Sequence, residues 1–306
     1  MKRLLSSSPS SRRVLQLHDV TPRDGLQNEA RALSLQQKLA LVKNSARYSP
    51  NGIEVCSFVR GDRVPNLAGA GELCQALAED EDFMQYQRSA TVAALVPNMK
   101  GFDSFLKHTN VLNTVVVLVS CTDTHSKSNV NMTMDQALKS TLDIVRVAKQ
   151  EQVKVRAYAS LAFGCPFEGS VPEERVVDLC LKYRDAGVDK IVLADTLGCG
   201  LPEQVTSILT KLSREGFNPE TDLGMHMHDS HGKANLNVQR GFDFGVNDFD
   251  ASVGGCGGCN FAPGSKGNIS IEKLWRTLGF GSKRQWEQLA ETNNKLAEAL
   301  QVKLDT

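Results

Sequence analysis

Several things are missing from this sequence, and each absence narrows what the chain can do. It has no surplus of charge: 35 Lys and Arg stand against 35 Asp and Glu, a formal net charge of zero. No basic excess points to nucleic acid, so no such partner is expected, although a neutral total still allows a local basic pocket for a phosphorylated ligand. No apolar run reaches the roughly 18 residues that span a bilayer. The longest, around Thr114 to Val119, has the length of a strand, and no membrane partner is expected. A secretory leader is also lacking, so the 8 cysteines point to a reduced, intracellular setting rather than a disulfide framework. One Cys-x-x-Cys occurs, at Cys256 and Cys259, without the second Cys or His pair that a structural zinc site needs. Residues Met1 to Arg13 hold Ser, Lys and Arg but no acid. They read as a disordered head, which makes the cytoplasm the expected compartment. The alternative is a short organellar transit sequence and the mitochondrial matrix, against which stands the lack of an apolar face.

What the chain does have is strand–helix alternation. With 306 residues, 41% hydrophobic and 23% charged, it has the make-up of an ordinary globular protein, long enough for one large α/β barrel or two small domains. Short β-branched runs fall at Val14–Val20, Ile53–Ser57, Thr91–Leu95, Thr114–Ser120, Val153–Ala159, Lys190–Ala194, Asp222–His228 and Asp248–Val253. Between them lie helical patterns such as Gln36–Tyr48, Gly71–Ala78, Met134–Gln150, Pro172–Ala186 and Pro202–Arg214, with a compact helix over Gly101–Lys107. Ile271–Leu278 and a final amphipathic helix over Lys283–Leu300 follow the last strand. Such alternation implies a parallel sheet covered by helices, and eight units favour a TIM (β/α)₈ barrel with an additional C-terminal helical segment. An open Rossmann-like sheet would need a glycine-rich phosphate turn after the first strand, where this chain has Thr21-Pro22-Arg23-Asp24-Gly25. No linker or low-complexity tract divides residues 14–306, which read as a single catalytic domain.

In such barrels the chemistry gathers at the carboxyl ends of the strands. The first strand leads to Arg23 and Asp24. The seventh carries Met225-His226-Met227-His228-Asp229, and residues two apart in a strand share a face, so His226 and His228 project together. Two imidazoles beside a carboxylate can hold a metal; they can also be a ladder that merely fills the barrel. After the eighth strand comes Gly254-Gly255-Cys256-Gly257-Gly258-Cys259, then Gly264, Gly267 and Asn268, the composition of a lid, of a backbone that approaches a ligand, or of a plain surface loop. On one barrel mouth, Asp24, His226 and His228 supply one oxygen and two nitrogens, and Asn268 could add an amide oxygen. That mixed set suits Mg²⁺ or Mn²⁺ with open water positions better than structural zinc.

These motifs resemble the 3-hydroxy-3-methylglutaryl-CoA lyase family, among the metal-dependent TIM-barrel lyases that also include isopropylmalate and homocitrate synthases. The similarity runs from about Val14 to Leu278. Its most specific motif is Pro22-Arg23-Asp24-Gly25-Leu26-Gln27-Asn28-Glu29. Ile53-Glu54, Ser57-Phe58-Val59, Pro97-Asn98, Gly164-Cys165-Pro166-Phe167-Glu168-Gly169, Asp195-Thr196-Leu197-Gly198, His226-Met227-His228-Asp229 and Gly257-Gly258-Cys259 through Gly267-Asn268 follow in order. The resemblance implies cleavage of an acyl-CoA substrate to acetyl-CoA and acetoacetate by a homodimer. It implies that Asp24, His226, His228 and Asn268 bind a divalent cation and that Arg23 stabilises the developing enolate. Cys259 would deliver a proton to the departing carbanion, and Glu54, Gln27 and Asp195 would support the site or transfer protons. Gln27, Asn98 and Gly258 join Arg23 in binding substrate.

The chain departs from the family at Ala30, where the lyases usually carry Lys, and at Arg60-Gly61-Asp62-Arg63, where they usually read Ser-Pro-Lys. Both places lie near the acyl-CoA in relatives, which leaves room for a lyase acting on a different 3-hydroxyacyl-CoA. Cys256 replaces an aliphatic residue, as a small apolar filler or as the partner of Cys259 in a reversible disulfide. Two further readings belong to other classes: a two-His-one-carboxylate iron oxygenase, and a binding barrel without catalysis.

Overall fold

The structure, a computed structural model, describes residues 13–257 and 267–306. Eight parallel strands close into one barrel in sequence order: β1 Gln16–Asp19, β2 Gly52–Ser57, β3 Thr91–Leu95, β4 Thr114–Ser120, β5 Lys154–Ser160, β6 Lys190–Asp195, β7 Leu223–Met227 and β8 Asp248–Ala251. Closure is made by β1 against β8, with Gln16 beside Asp248 and Asp19 beside Ala251. The helices are α1 Leu35–Arg47, α2 Ala70–Ala78, α3 Glu81–Gln87, α4 Met99–Phe105, α5 Asp123–Val130, α6 Met134–Gln150, α7 Glu173–Asp185, α8 Pro202–Arg214, α9 Ala234–Phe244, α10 Ile271–Leu278 and α11 Lys283–Leu300. The barrel and the final helix are those the sequence leads one to expect. Among the described residues no helix is long and apolar enough to cross a membrane.

The elements form where side-chain spacing and caps agree. In α6 the buried residues Met134, Ala137, Leu138, Thr141, Ile144, Val145 and Ala148 recur every three or four positions and form one apolar stripe. Ser34, Thr133 and Ser282 start α1, α6 and α11 with capping boxes closed by Gln37, Gln136 and Gln285. The main apolar core lies between barrel and helices. A smaller one fills the lumen with Ala93, Val116, Tyr158, Val192 and Ala194. Helix α11 lies along α1, where Gln285 donates to the Tyr48 carbonyl at 3.1 Å and Arg47 pairs with Glu291 at 2.9 Å.

Several boundaries differ from the sequence reading by a residue or two, and three of the differences bear on the site. The compact helix after β3 begins at Met99, not Gly101, because Asn98 caps it by accepting from the Gly101 N–H at 3.0 Å. The first strand stops at Asp19, since the chain turns at once into a five-residue π-helical turn over Thr21–Gly25. The seventh stops at Met227, one residue before His228. Arg13, grouped with the head in the sequence reading, docks its guanidinium on the Phe242 carbonyl; residues 1–12 lie outside the described residues.

Candidate active site

The π-helical turn after β1 does the first positioning. The Gly25 N–H reaches back to the Val20 carbonyl at 3.0 Å, which folds Arg23 and Asp24 over the barrel mouth. Arg23 is 6% exposed and forks onto Glu54 within β2, Nε to Oε1 at 2.6 Å and Nη2 to Oε2 at 2.9 Å. Its Nη1 donates to Asp24 Oδ1 at 2.5 Å and to Gln27 Oε1 at 3.5 Å. Glu54 is therefore the clamp that fixes the direction of the guanidinium. Burial pushes the Glu54 carboxyl up, against the lowering pull of Arg23. For Arg23, burial opposes the charge, but Glu54 and Asp24 outweigh it and hold the cation firmly.

Across the mouth, His226 and His228 face the same way. Their Nε2 atoms lie 3.1 Å apart, and each is 3.9 Å from Asp24 Oδ2. One ligand atom from each of these three side chains lies within 4.8 Å of the others. Around an octahedral ion with bonds of about 2.1 Å, adjacent ligand atoms sit about 3 Å apart and opposite ones about 4.2 Å, so the spacings fit a small hard cation. The chemistry of the donors fits as well. Burial would raise the Asp24 carboxyl, but Arg23 and the two imidazoles together hold it well below the usual range, as a carboxylate. Burial, with His226 beside it, lowers His228 to about 4, which keeps its ring neutral with a lone pair to give. Its Nδ1 is buried with no hydrogen-bond partner among the described residues.

Asn268 arrives by a stitch. After β8 the chain returns at residue 267 and inserts between the ends of β7 and β8. Asp229 N–H bonds the Gly267 carbonyl at 2.7 Å, Ile269 N–H the Met227 carbonyl at 2.9 Å, and Ser252 N–H the Ile269 carbonyl at 3.1 Å. This sets the Asn268 amide nitrogen 2.8 Å from Asp24 Oδ2 and 3.2 Å from the Cys256 carbonyl. The amide oxygen, the atom a cation would take, is on the other arm of the same group.

Other predicted residues fall into place differently. Asp195, at the end of β6, accepts from the N–H groups of Cys199 at 3.1 Å and Gly200 at 2.9 Å, so its carboxylate braces the loop after its own strand. Burial raises its pKa against those bonds. Asn98 has its Oδ1 engaged as the cap of α4. Cys256 is 2% exposed and donates toward the Gly25 carbonyl at 3.3 Å and Glu29 Oε1 at 3.4 Å; burial pushes its thiol well up, which suits a packed filler. Gly258 and Cys259 lie outside the described residues, and with them the disulfide expectation.

Sequence reasoning missed two groups. Asn66 ties the loop after β2 to the first motif, donating to the carbonyls of Leu26 at 3.1 Å and Glu29 at 2.6 Å. Beneath the histidines lies a buried polar network. Arg156 Nη2 donates to Asp248 Oδ1 at 2.6 Å and Asp250 Oδ1 at 2.7 Å, Tyr158 Oη donates to Asp250 Oδ2 at 2.6 Å, and that same oxygen meets His226 Nδ1 at 3.0 Å. Polar residues alternating along β5 (Arg156, Tyr158) and β8 (Asp248, Asp250) were the available signal, since a period of two puts each pair on one face.

The HMGL-like family profile matches residues 14–303. The chain belongs to the HMGL-like family. Hydroxymethylglutaryl-CoA lyase YngG of Bacillus subtilis is 33% identical to this HMGL-like chain over 258 residues, 84% of the chain and 83% of that protein. A 3-hydroxy-3-isohexenylglutaryl-CoA/hydroxy-methylglutaryl-CoA lyase of Pseudomonas aeruginosa is 32% identical over 260 residues, 85% of the chain and 83% of that protein. A solved HMG-CoA lyase of Acinetobacter baumannii, in complex with coenzyme A and 3-methylmalate, superposes with a TM-score of 0.85 at 30% identity, covering 96% of the chain and 93% of its own.

Proposed function

We propose that this HMGL-like chain is a carbon–carbon lyase that cleaves 3-hydroxy-3-methylglutaryl-CoA to acetyl-CoA and acetoacetate with Mg²⁺ or Mn²⁺. The observation that carries this reading is the meeting of Asp24, His226 and His228 within 4.8 Å, directly beside the Arg23–Glu54 clamp. Asp24, the two histidine Nε2 atoms and the Asn268 amide oxygen would hold the cation. When bound it supplies Lewis acidity toward the substrate's tertiary hydroxyl.

The chain's own groups do the rest. Transfer of the hydroxyl proton to a site carboxylate, Asp195 or Glu54, lets the bond between C2 and C3 break, with its electron pair passing into the thioester enolate and the other fragment leaving as acetoacetate. Arg23, held by Glu54 with its Nη1 toward the site, offers a preorganised positive charge to the enolate oxygen. Cys259 returns a proton to the enolate carbon, completing acetyl-CoA. Gln27 orients Arg23 and substrate, Asp195 keeps the loop after β6 in place, and Asn98 and Gly258 line the acyl-CoA path. The glycine-rich segment would exclude bulk water during the reaction. A homodimer in the cytoplasm completes the proposal.

Purified protein incubated with the methylglutaryl thioester and Mn²⁺ or Mg²⁺ should release acetoacetate, and EDTA should stop it; no EDTA-sensitive product would overturn the reading. A second reading, preference for a different 3-hydroxyacyl-CoA, is favoured by Ala30 and by the exposed Arg60–Asp62 pair in the loop after β2. The dual substrate naming of the Pseudomonas relative makes that comparison worthwhile. A panel of 3-alkyl-3-hydroxyglutaryl thioesters decides between the two.

A further inference from the structure

The buried network under the histidines has no part in the reaction just described. It rests on β5 and β8, which contribute none of the cation ligands. Every member is removed from water: Arg156 is 3% exposed, Tyr158 5%, Asp248 3% and Asp250 2%. A charged cluster this deep needs its polar atoms partnered, and here Arg156 is shared between two aspartates while Asp248 Oδ2 meets His18 at 3.3 Å and Lys190 at 3.8 Å. Among the described residues the cluster meets the barrel mouth at His226, through the contact from Asp250 Oδ2 to His226 Nδ1 at 3.0 Å and the edge-to-face packing of the Tyr158 ring on the imidazole at 5.8 Å.

A ring nitrogen facing a carboxylate oxygen takes the proton, and the other ring nitrogen is then left with its lone pair. Nδ1 of His226 faces Asp250, and Nε2 faces Asp24 and His228. We propose that Asp250, held by Arg156 and Tyr158, is a positioning residue that locks His226 in the ring orientation and tautomer that present its Nε2 lone pair to a divalent cation. The affinity of the site is therefore set one layer below its ligands. Asp250 can do this because it is itself immobile. Its Oδ1 is held by Arg156 and its Oδ2 by the Tyr158 hydroxyl, so the carboxylate plane cannot rotate away from His226. His228 has no comparable support, its Nδ1 being unpartnered among the described residues, so the two imidazoles are unequal in preorganisation. The inference rests on the metal reading above and names what tunes it.

The test is Mn²⁺ affinity of the full chain, measured by electron paramagnetic resonance or calorimetry on EDTA-stripped protein at pH 8, with thermal melts run in parallel. Asp250→Asn keeps the volume and removes the charge, and its Mn²⁺ affinity should fall about 10- to 100-fold, the usual effect of losing such a partner. Excess Mn²⁺ should restore much of its turnover, which a merely structural lesion would not allow. Tyr158→Phe removes one of the bonds that immobilise Asp250, and its affinity should fall by about two- to tenfold. Should Asp250→Asn fail to fold, Tyr158→Phe decides the matter, because it deletes one oxygen and leaves Arg156 paired with both aspartates. A folded variant that binds Mn²⁺ within twofold of the unaltered chain overturns the positioning role. An unaltered chain that binds no Mn²⁺ overturns the metal reading instead, and the positioning role with it.

Discussion

Replacing Arg23 by Met separates what that residue does for the reaction from what it does for the fold. Arg23 carries a fixed positive charge at the mouth, and losing a preorganised donor of this kind typically reduces kcat by about 10²- to 10³-fold. The same change strands Glu54, which is 3% exposed and accepts two guanidinium hydrogen bonds. Breaking one side of a buried pair typically costs about 3–5 kcal/mol. Glu54 can escape part of that by protonation, since burial already pushes its carboxyl up. At about 2–4 °C per kcal/mol, Tm should fall by roughly 5–15 °C. The double variant Arg23→Met, Glu54→Leu removes both charges and leaves apolar bulk, so it should recover much of the lost Tm. Its turnover should stay as low as that of the single variant. Acetoacetate release at saturating Mn²⁺, with melts on the same samples, gives both readouts. Turnover of Arg23→Met within tenfold of the unaltered chain, or recovery of turnover in the double variant, would refute the reasoning.

Three further outcomes follow from the same geometry. Stripping the protein with EDTA should abolish turnover, and Mn²⁺ at 100 times its Kd should then raise stability by about 2.7 kcal/mol, seen as a higher Tm. The metal-free protein should lose stability on acidification: His228 is held at about 4 against 6.5 unfolded, so the unfolded chain takes up this proton first. Its contribution is complete above about pH 6.5, declines as pH falls toward 4, and amounts to about 3 kcal/mol; His228→Asn should flatten the melting curve's pH dependence over that window. Size-exclusion chromatography with light scattering should give twice the mass of one chain, and a monomeric mass would remove the homodimer from the proposal.

Much of this was legible in the residues, for reasons that also mark the boundary of legibility. The strands announced themselves because both faces of a barrel strand are buried, which selects runs such as Thr114–Ser120, found as expected. The histidine pair was legible because a strand's period of two is rigid enough to predict a shared face. The stop of β1 at Asp19 was not, because Pro22 and Gly25 only signal a turn, and the π-helical geometry depends on the Val20 carbonyl accepting from Gly25. Asn98 was read for its chemistry when its local role is to cap α4, an ambiguity inherent in Asn before a helix. Helix α5 went unnamed because Asp123–Val130 has little apolar face, only His125 and Ser126 being buried. The Arg156–Asp248–Asp250 cluster was hidden for a deeper reason. Its members lie up to 94 positions apart in sequence, and only barrel closure brings one guanidinium between the two carboxylates.

The stitch that brings Asn268 home has a consequence for how such a protein can diversify. The Cys256 carbonyl and the Asn268 amide meet at 3.2 Å, so the chain leaves the mouth and rejoins it at almost the same point. A connection whose two ends are fastened together can change length at small thermodynamic penalty, about 0.6 kcal/mol for each doubling, and the change is not transmitted past the fastening. The fastening therefore lets Asp24, His226 and His228 keep their spacing independently of the length of the connection between Cys256 and Asn268.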